Sequence, residues 1–308
     1  MADVEAAAVR IAGRVHRTPV LTSATLDREL GLHVAFKAEH LQKVGAFKAR
    51  GALNAILALD DARRARGVVT HSSGNHGQAV AWAAAERGVP CWVVMPHDTN
   101  PVKAAAVRGY GATVVGCAAS DRQAVADRVV AETGAAFVHP YADPHVIAGQ
   151  GTAVLELLDE VGPLDAVIAP VSGGGLLAGT AIVVAARLPG AAIIGAEPEA
   201  VDDAARSFAT GVLQPAVPDP TTLADGLRAG LGALNFAILR RLGAEIVTVS
   251  EDELVEAARF HLERMKQLVE PSGAAGLAAA RRIAHRFPGG RVGVIISGGN
   301  TDLAWLDR

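Results

Sequence analysis

Lys48 stands in the stretch VGAFKARGA, residues 44–52, directly after Phe47 and among small residues that offer a positive charge no partner. An amine among apolar groups loses hydration, its charged form is disfavoured, and the neutral amine becomes a nucleophile toward carbonyl carbon. Such a lysine can hold an aldehyde as a Schiff base. Three other segments share one layout of apolar strand, Ser/Gly-rich turn and helix: VVTHSSGNHGQAVAWAAA from residue 68, IAPVSGGGLLAGTAIVVAA from 168 and VGVIISGGNTDLAWL from 292. Glycine lets the backbone turn sharply and approach a ligand, and the first amides of the following helix lack intrahelical acceptors, so such turns receive anions. SGGG at residues 172–175 is the best phosphate cradle of the three. None of the turns fits G-x-G-x-x-G or G-x-x-x-x-G-K-[ST], which argues against dinucleotide and nucleoside-triphosphate binding. A lysine near a helix start is often merely solvated, and glycines often only tighten a turn. Together they point further, because pyridoxal phosphate, an aldehyde carrying a phosphate, needs both the amine and the cradle.

These residues need a scaffold of regular strands. GVVTH, CWVVMP, ATVVGC and AAFVHP, starting near 67, 91, 112 and 135, are short β-rich runs separated by segments of helical periodicity. A second series follows with AVIAPV at 166, AIIGAE at 192, EIVTVS at 245 and RVGVIIS at 291. Alternating strand and helix implies parallel strands with right-handed crossovers, hence an α/β fold of doubly wound sheets. Ser250 and Glu253 have the spacing of a capping box that opens a long helix. Residues 198–236, rich in Pro, Asp and Gly, read as an extended loop with short helices. The two blocks, separated near residue 140, predict two parallel-sheet domains with the active cleft between them.

Composition narrows the function classes. The 308 residues carry 29 basic and 32 acidic side chains, a formal net charge of −3, without a long basic run, so nucleic acid is not an expected partner. Cys91 and Cys117 show neither C-x-x-C spacing nor the density of a disulfide scaffold, and the N-terminus lacks the apolar core of a secretion signal, so the cytosol is the expected compartment. Residues 166–186 contain no charge, yet Pro170 and Gly173–Gly175 split them into a strand-like and a helix-like piece; the stretch reads as buried core rather than a membrane span.

HRTPV at 16–20, KAEHLQKVGAFKARGALNA at 37–55, THSSGNHGQAVA at 70–81, VHP at 138–140, VIAGQGTAVLEL at 146–157, APVSGGGLLAG at 169–179, ERMKQLVEPSGAAG at 263–276 and ISGGN at 296–300 run in order through nearly the whole chain. Together they resemble the fold type II pyridoxal-phosphate enzymes of the tryptophan synthase β-like kind, within them the serine/threonine dehydratase and serine racemase group. The resemblance implies a discontinuous large domain, residues 1–66 and 140–308, and a small mobile domain, residues 67–139. It implies that Lys48 binds pyridoxal 5'-phosphate covalently with Phe47 beside the ring, and that Asn75 bonds the ring's phenolic oxygen. Ser172, Gly173, Gly174, Gly175 and Leu176 would hold the phosphate through backbone amides, and Ser297 would face the pyridine nitrogen. Family enzymes often have four glycines where this chain has Ser172 first, a departure that backbone donors survive.

A hydroxyl at the pyridine nitrogen makes the ring a weak electron sink, which favours expelling a β-leaving group over holding a carbanion. The resemblance therefore implies β-elimination from L-serine or L-threonine to a 2-oxo acid and ammonia, with Lys48 as base. Ser72, Ser73, Asn75 and His76 would receive the substrate carboxylate, although His76 has an equal claim to shaping the turn. Serine racemases have Ser at the position of Ser73, an acid/base opposite the lysine, so racemisation stays open, as does 3-hydroxyaspartate dehydration. Arg122 lies where racemase-like members carry an Arg near the substrate. Glu197, Asp203 and the Val201 carbonyl are oxygen donors suited to Mg²⁺ or Ca²⁺; acidic loops are usually just solvated, but the resemblance places a divalent cation there. It also implies a homodimer. The alternative from another class is a phosphate- or nucleotide-binding α/β protein whose lysine is incidental.

Overall fold

The computed structural model describes residues 1–97, 99 and 101–307. Among them ten strands form two sheets. The strands are β1 (Val20–Leu21), β2 (His33–Ala38), β3 (Val68–His71), β4 (Cys91–Pro96), β5 (Thr113–Cys117), β6 (Ala136–Phe137), β7 (Ala166–Pro170), β8 (Ala192–Pro198), β9 (Glu245–Val249) and β10 (Arg291–Ile296). The larger sheet has the order β1-β2-β10-β7-β8-β9 and the smaller one β5-β4-β3-β6. All pairings are parallel except β1 against β2, a short antiparallel edge that departs from the all-parallel expectation. β1 has only two residues, and both strands precede the two series of βα units read from the sequence. β7 is buried along all five residues and β10 along five of six, the near-continuous apolar pattern of strands covered on both faces.

This order brings the chemistry together. β2, β10 and β7 are neighbours in parallel, with Ile296 beside Ala38 and Val294 beside Ile168, so the segments leaving their C-terminal ends emerge side by side. Those segments lead to Lys48, to Ser297 and to the SGGG turn. β3 of the smaller sheet leads to the SSGNH turn. Ligands in open α/β sheets bind at such carboxyl ends. The uncharged stretch resolves into β7 and the helix Gly175–Arg187, and among the described residues no helix is long and apolar enough to cross a membrane. Ser250 and Glu253 form the expected capping box of helix Glu251–Met265. Cys91 and Cys117 are buried and unbridged.

Close helix contacts fix distances across the site. A Cβ on Gly149 would stand 2.6 Å from the Gly51 Cα, and one on Gly179 would stand 2.6 Å from the Gly151 nitrogen. Helix Pro144–Val161 thus touches helix Lys48–Ala58 on one side and helix Gly175–Arg187 on the other, backbone against backbone. A second device is ionic. Arg50 is fully buried and binds Glu39 through Nε (2.7 Å) and Nη2 (2.8 Å) and Glu156 through Nη1 (2.7 Å) and Nη2 (2.8 Å). Lys37 Nζ joins Glu156 at 2.7 Å and the Thr18 carbonyl at 2.6 Å. Two cations and two anions therefore lock the helix that begins at Lys48 onto β2 and helix Pro144–Val161. Replacing one member leaves its partners charged in a dry interior. Arg50→Met is expected to lower unfolding free energy by about 3–5 kcal/mol, read as a fall in the urea midpoint at unchanged slope. A loss below about 1 kcal/mol, the ordinary size for a surface pair, would show that the cluster does not fix the helix.

Candidate active site

Lys48 opens its helix directly behind a backbone junction. Phe47 N–H donates to the Ser297 carbonyl at 3.0 Å, Gly299 N–H donates to the Gly45 carbonyl at 3.0 Å, and Ala46 bridges Gly298. The segment before the lysine is thereby stitched to the turn after β10, and this places Lys48 beside Ser297, which is itself buried. Lys48 Nζ donates to the Pro140 carbonyl at 2.8 Å and lies 5.1 Å from the centre of the Phe47 ring. The residue keeps some contact with solvent, but its amine is enclosed, and burial lowers its pKa from 10.5 to about 8.

The cradle reaches the lysine through the next residue of the same loop. Gly174 adopts φ +88° and caps helix Gly175–Arg187; Gly173 and Gly174 are both buried. A Cβ at Gly173 would overlap the Tyr141 ring, and one at Gly174 would meet Leu231 at 2.6 Å, so only glycine fits either position. Tyr141 follows Pro140, whose carbonyl holds Lys48. Asn235 Nδ2 donates to the carbonyls of Gly173 at 2.5 Å and Tyr141 at 3.1 Å, and His139 Nδ1 accepts the N–H groups of Tyr141 (3.2 Å) and Ala142 (2.9 Å). An amine with a near-neutral pKa and an anion-receiving helix start thus share the loop 139–142. That geometry fits pyridoxal phosphate: the amine for its aldehyde, the glycine turn for its phosphate.

Asn75 begins helix Asn75–Ala85 after the SSGNH turn, and its side-chain amide is held from both ends. Its Nδ2 donates to Glu270 Oε1 at 2.9 Å, and its Oδ1 accepts from Asn300 Nδ2 at 2.9 Å; Asn300 also donates to the Val44 carbonyl at 2.7 Å. Glu270 is buried, and burial, with a smaller push from Asp225, raises its pKa to about 8. Ser72 Oγ accepts the Gly74 N–H at 3.2 Å, and the half-buried Ser73 hydroxyl has no partner among the described residues. His76 is turned inward: its imidazole is buried, Nε2 lies 3.3 Å from the Val138 carbonyl, and burial followed by the Lys48 charge holds its pKa well below 6.5. Its ring thus packs against the segment that follows β6, while its buried Nδ1 has no hydrogen-bond partner among the described residues. Arg122 is tethered by Nε to the Ala119 carbonyl at 3.0 Å, with His71 and Tyr141 within reach of its charge.

The three cation candidates gather at the end of β8. Glu197 accepts the N–H groups of Ala204 (2.9 Å) and Ala205 (2.8 Å), and Asp203 accepts that of Leu231 (2.8 Å). Both carboxylates and Val201 are buried; burial raises the Glu197 pKa to about 8 and moves that of Asp203 upward, and the Asp203 charge adds to the rise at Glu197. Among the described residues no group of three or more His, Cys, Asp or Glu side chains is placed to hold a metal, so a cation here would need the Val201 carbonyl as third donor.

Glu270, Asn300, Tyr141, Asn235 and His139 carry no role in the sequence reading. Glu270 and Asn300 lie inside quoted motifs, EPSG and SGGN, and an acid between Val and Pro was the available signal. Tyr141 and Asn235 gave none, because they act by contact with Gly173, remote in sequence.

A family profile described as "Pyridoxal-phosphate dependent enzyme" matches residues 11–298. An L-threo-3-hydroxyaspartate ammonia-lyase of a Pseudomonas species is 47% identical over 304 residues, covering 98% of this chain and 95% of the relative. The crystal structure of serine racemase from Dictyostelium discoideum superimposes with TM-score 0.94 at 44% identity, covering 98% of each chain. That of a threonine deaminase from T.th. gives TM-score 0.93 at 50% identity, again over 98% of each.

The lowered pKa of Lys48 makes a pH prediction. The folded protein releases the Lys48 proton near pH 8 and the unfolded chain near 10.5, so between those values the unfolded state binds more protons and this group's contribution to stability rises with pH. With cofactor-free protein, the rate of aldehyde capture, followed by absorbance, is expected to rise with pH and level off with a midpoint at about 8. A rate still climbing at about pH 10, the ordinary lysine range, would mean the amine is solvated.

Proposed function

Because the chain belongs to the pyridoxal-phosphate dependent enzymes, we propose that it is an ammonia-lyase that takes L-serine, L-threonine or L-threo-3-hydroxyaspartate to a 2-oxo acid and ammonia by β-elimination, with serine racemisation as an accompanying activity. The observation that carries the reading is the short path from Lys48 Nζ through the Pro140 carbonyl to Tyr141, whose ring packs on the Gly173 cradle.

When bound, pyridoxal phosphate supplies an aldehyde that condenses with amines and a ring that accepts electrons from the substrate Cα. Lys48 would hold the cofactor through its aldehyde. Its amine, when free, has a pKa near 8 that suits it to take the α-proton, and the Pro140 carbonyl keeps it oriented. Backbone amides from Ser172 to Leu176 receive the phosphate, with Gly174 and the helix start supplying unpaired donors. Asn75 would meet the ring's phenolic oxygen, and Glu270 and Asn300 fix its amide from both ends. Ser297 would offer the ring nitrogen a neutral hydroxyl, and such a partner would favour loss of a β-substituent over storage of charge in the ring. The SSGNH turn receives the substrate carboxylate through Ser72, Ser73, Asn75 and the backbone at His76, with Arg122 at the edge of the site. Ser73, without a hydrogen-bond partner among the described residues, is placed in this reading as the proton carrier opposite Lys48.

Glu197, Asp203 and the Val201 carbonyl are proposed to hold Mg²⁺ or Ca²⁺, since two buried acids with raised pKa values gain from a cation between them. Its role would be structural or regulatory. We read the working form as a homodimer of the cytosol, supported by the family resemblance and by two buried, unpaired cysteines.

Incubation with each of the three substrates, with 2-oxo acid and D-isomer measured separately, tests the assignment. Turnover of at least one to its 2-oxo acid is expected, and none with any of them sinks the lyase reading. Ser73→Ala is expected to reduce D-serine formation by about 100-fold, the usual worth of a general acid/base, while most elimination from the L-isomer persists. Equal loss of both would remove Ser73 from the opposite face.

A further inference from the structure

The first residue of the cradle differs from its neighbours in having a polar side chain, and that side chain is already engaged. Ser172 Oγ donates to the Ala229 carbonyl at 3.0 Å and accepts the Ala229 N–H at 3.1 Å. One hydroxyl thus grips both polar groups of a single residue in the irregular stretch between helices Asp203–Thr210 and Ala233–Arg241. The residues that follow continue along the cradle. Leu231 N–H is held by Asp203 Oδ2 at 2.8 Å, Gly232 N–H donates to the Gly173 carbonyl at 3.2 Å, and Leu231 Cδ1 fills the space beside Gly174. Residues 229–232 are therefore a strap that forms one wall of the turn, fastened at one end by Ser172 and further along by Asp203.

From this we infer that Ser172 is a positioning residue: it clips the strap against the glycine turn and so presets the cradle for phosphate before any ligand arrives. The inference rests on the reading of residues 172–176 as the phosphate site, and it assigns the Ser172 hydroxyl to the protein rather than to the phosphate. A turn of three consecutive glycines is entropically loose, and every degree of freedom left to it in the free protein must be lost on binding. A side chain that ties the turn to a packed strap removes that loss from the binding step.

The test compares Ser172→Ala and Ser172→Thr with the unaltered protein. After removal of cofactor, dissociation constants are measured for pyridoxal phosphate by absorbance and for inorganic phosphate by competition, and amide hydrogen exchange is followed at residues 229–232 without ligand. Ser172→Ala is expected to bind both ligands about three- to tenfold more weakly, the worth of one exposed hydrogen-bonded clip, with faster exchange in the strap. Ser172→Thr, which keeps the hydroxyl, is expected to restore both. Unchanged exchange in Ser172→Ala overturns the clip; if affinity falls nonetheless, the hydroxyl acts on the ligand directly. Faster exchange with unchanged affinity also overturns it, since the strap would then not preset the cradle. Failure of the unaltered protein to bind pyridoxal phosphate would count against the cradle reading, and the exchange measurement would still judge the clip.

Discussion

An amine stays reactive near neutral pH only where water is kept from it, and the site depends on meeting that condition at Lys48. Its amine is enclosed with a single carbonyl, that of Pro140, as acceptor, and burial alone brings its pKa to about 8. A carboxylate partner would have restored the charge and quenched the nucleophile. Two residues along the same helix the opposite solution is used: Arg50 is buried among Glu39 and Glu156 and stays charged. One helix thus carries both kinds of buried cationic side chain, a charge held by two carboxylates at Arg50 and an amine held by one carbonyl at Lys48.

That economy extends to the rest of the site. The backbone junction between Gly45–Phe47 and Ser297–Gly299 sets the lysine beside the serine, and the loop 139–142 joins the lysine to the glycine turn. Helix Pro144–Val161 then spaces the two flanking helices through contacts that only glycine allows. Three adjacent strand ends of one sheet lead to Lys48, Ser297 and the SGGG turn, and β3 of the other sheet leads to the SSGNH turn with Asn75. The groups proposed to act together are thus brought in by separate rigid elements.

Much of this was legible in the sequence, for identifiable reasons. Eight strands announced themselves because β-rich apolar runs alternate with helical periodicity, Lys48 and SGGG stood out as chemistry in small-residue surroundings, and Asn75 and Ser297 came from the family resemblance. The edge strand β1 and its partner β2 did not, since two residues carry no period and β2 has Lys37, buried by its ion pair with Glu156, inside its apolar run. Tyr141, Asn235 and Glu270 were invisible as partners because each acts across a long sequence separation, where only folding reveals the contact. His76 was read with two claims, a ligand contact and the shaping of its turn; its buried ring lies against the Val138 carbonyl, which favours the second. Ser172 was read through its backbone, and its side chain turned out to have an occupation of its own.

The central claim is that Lys48 carries the cofactor as an imine, and reduction of the holoenzyme by borohydride tests it most directly. The yellow absorbance is expected to bleach, and peptide mapping by mass spectrometry should find the pyridoxyl group on the peptide containing Lys48 alone. A label on a different lysine, or a protein that stays colourless after exposure to pyridoxal phosphate, would contradict the account.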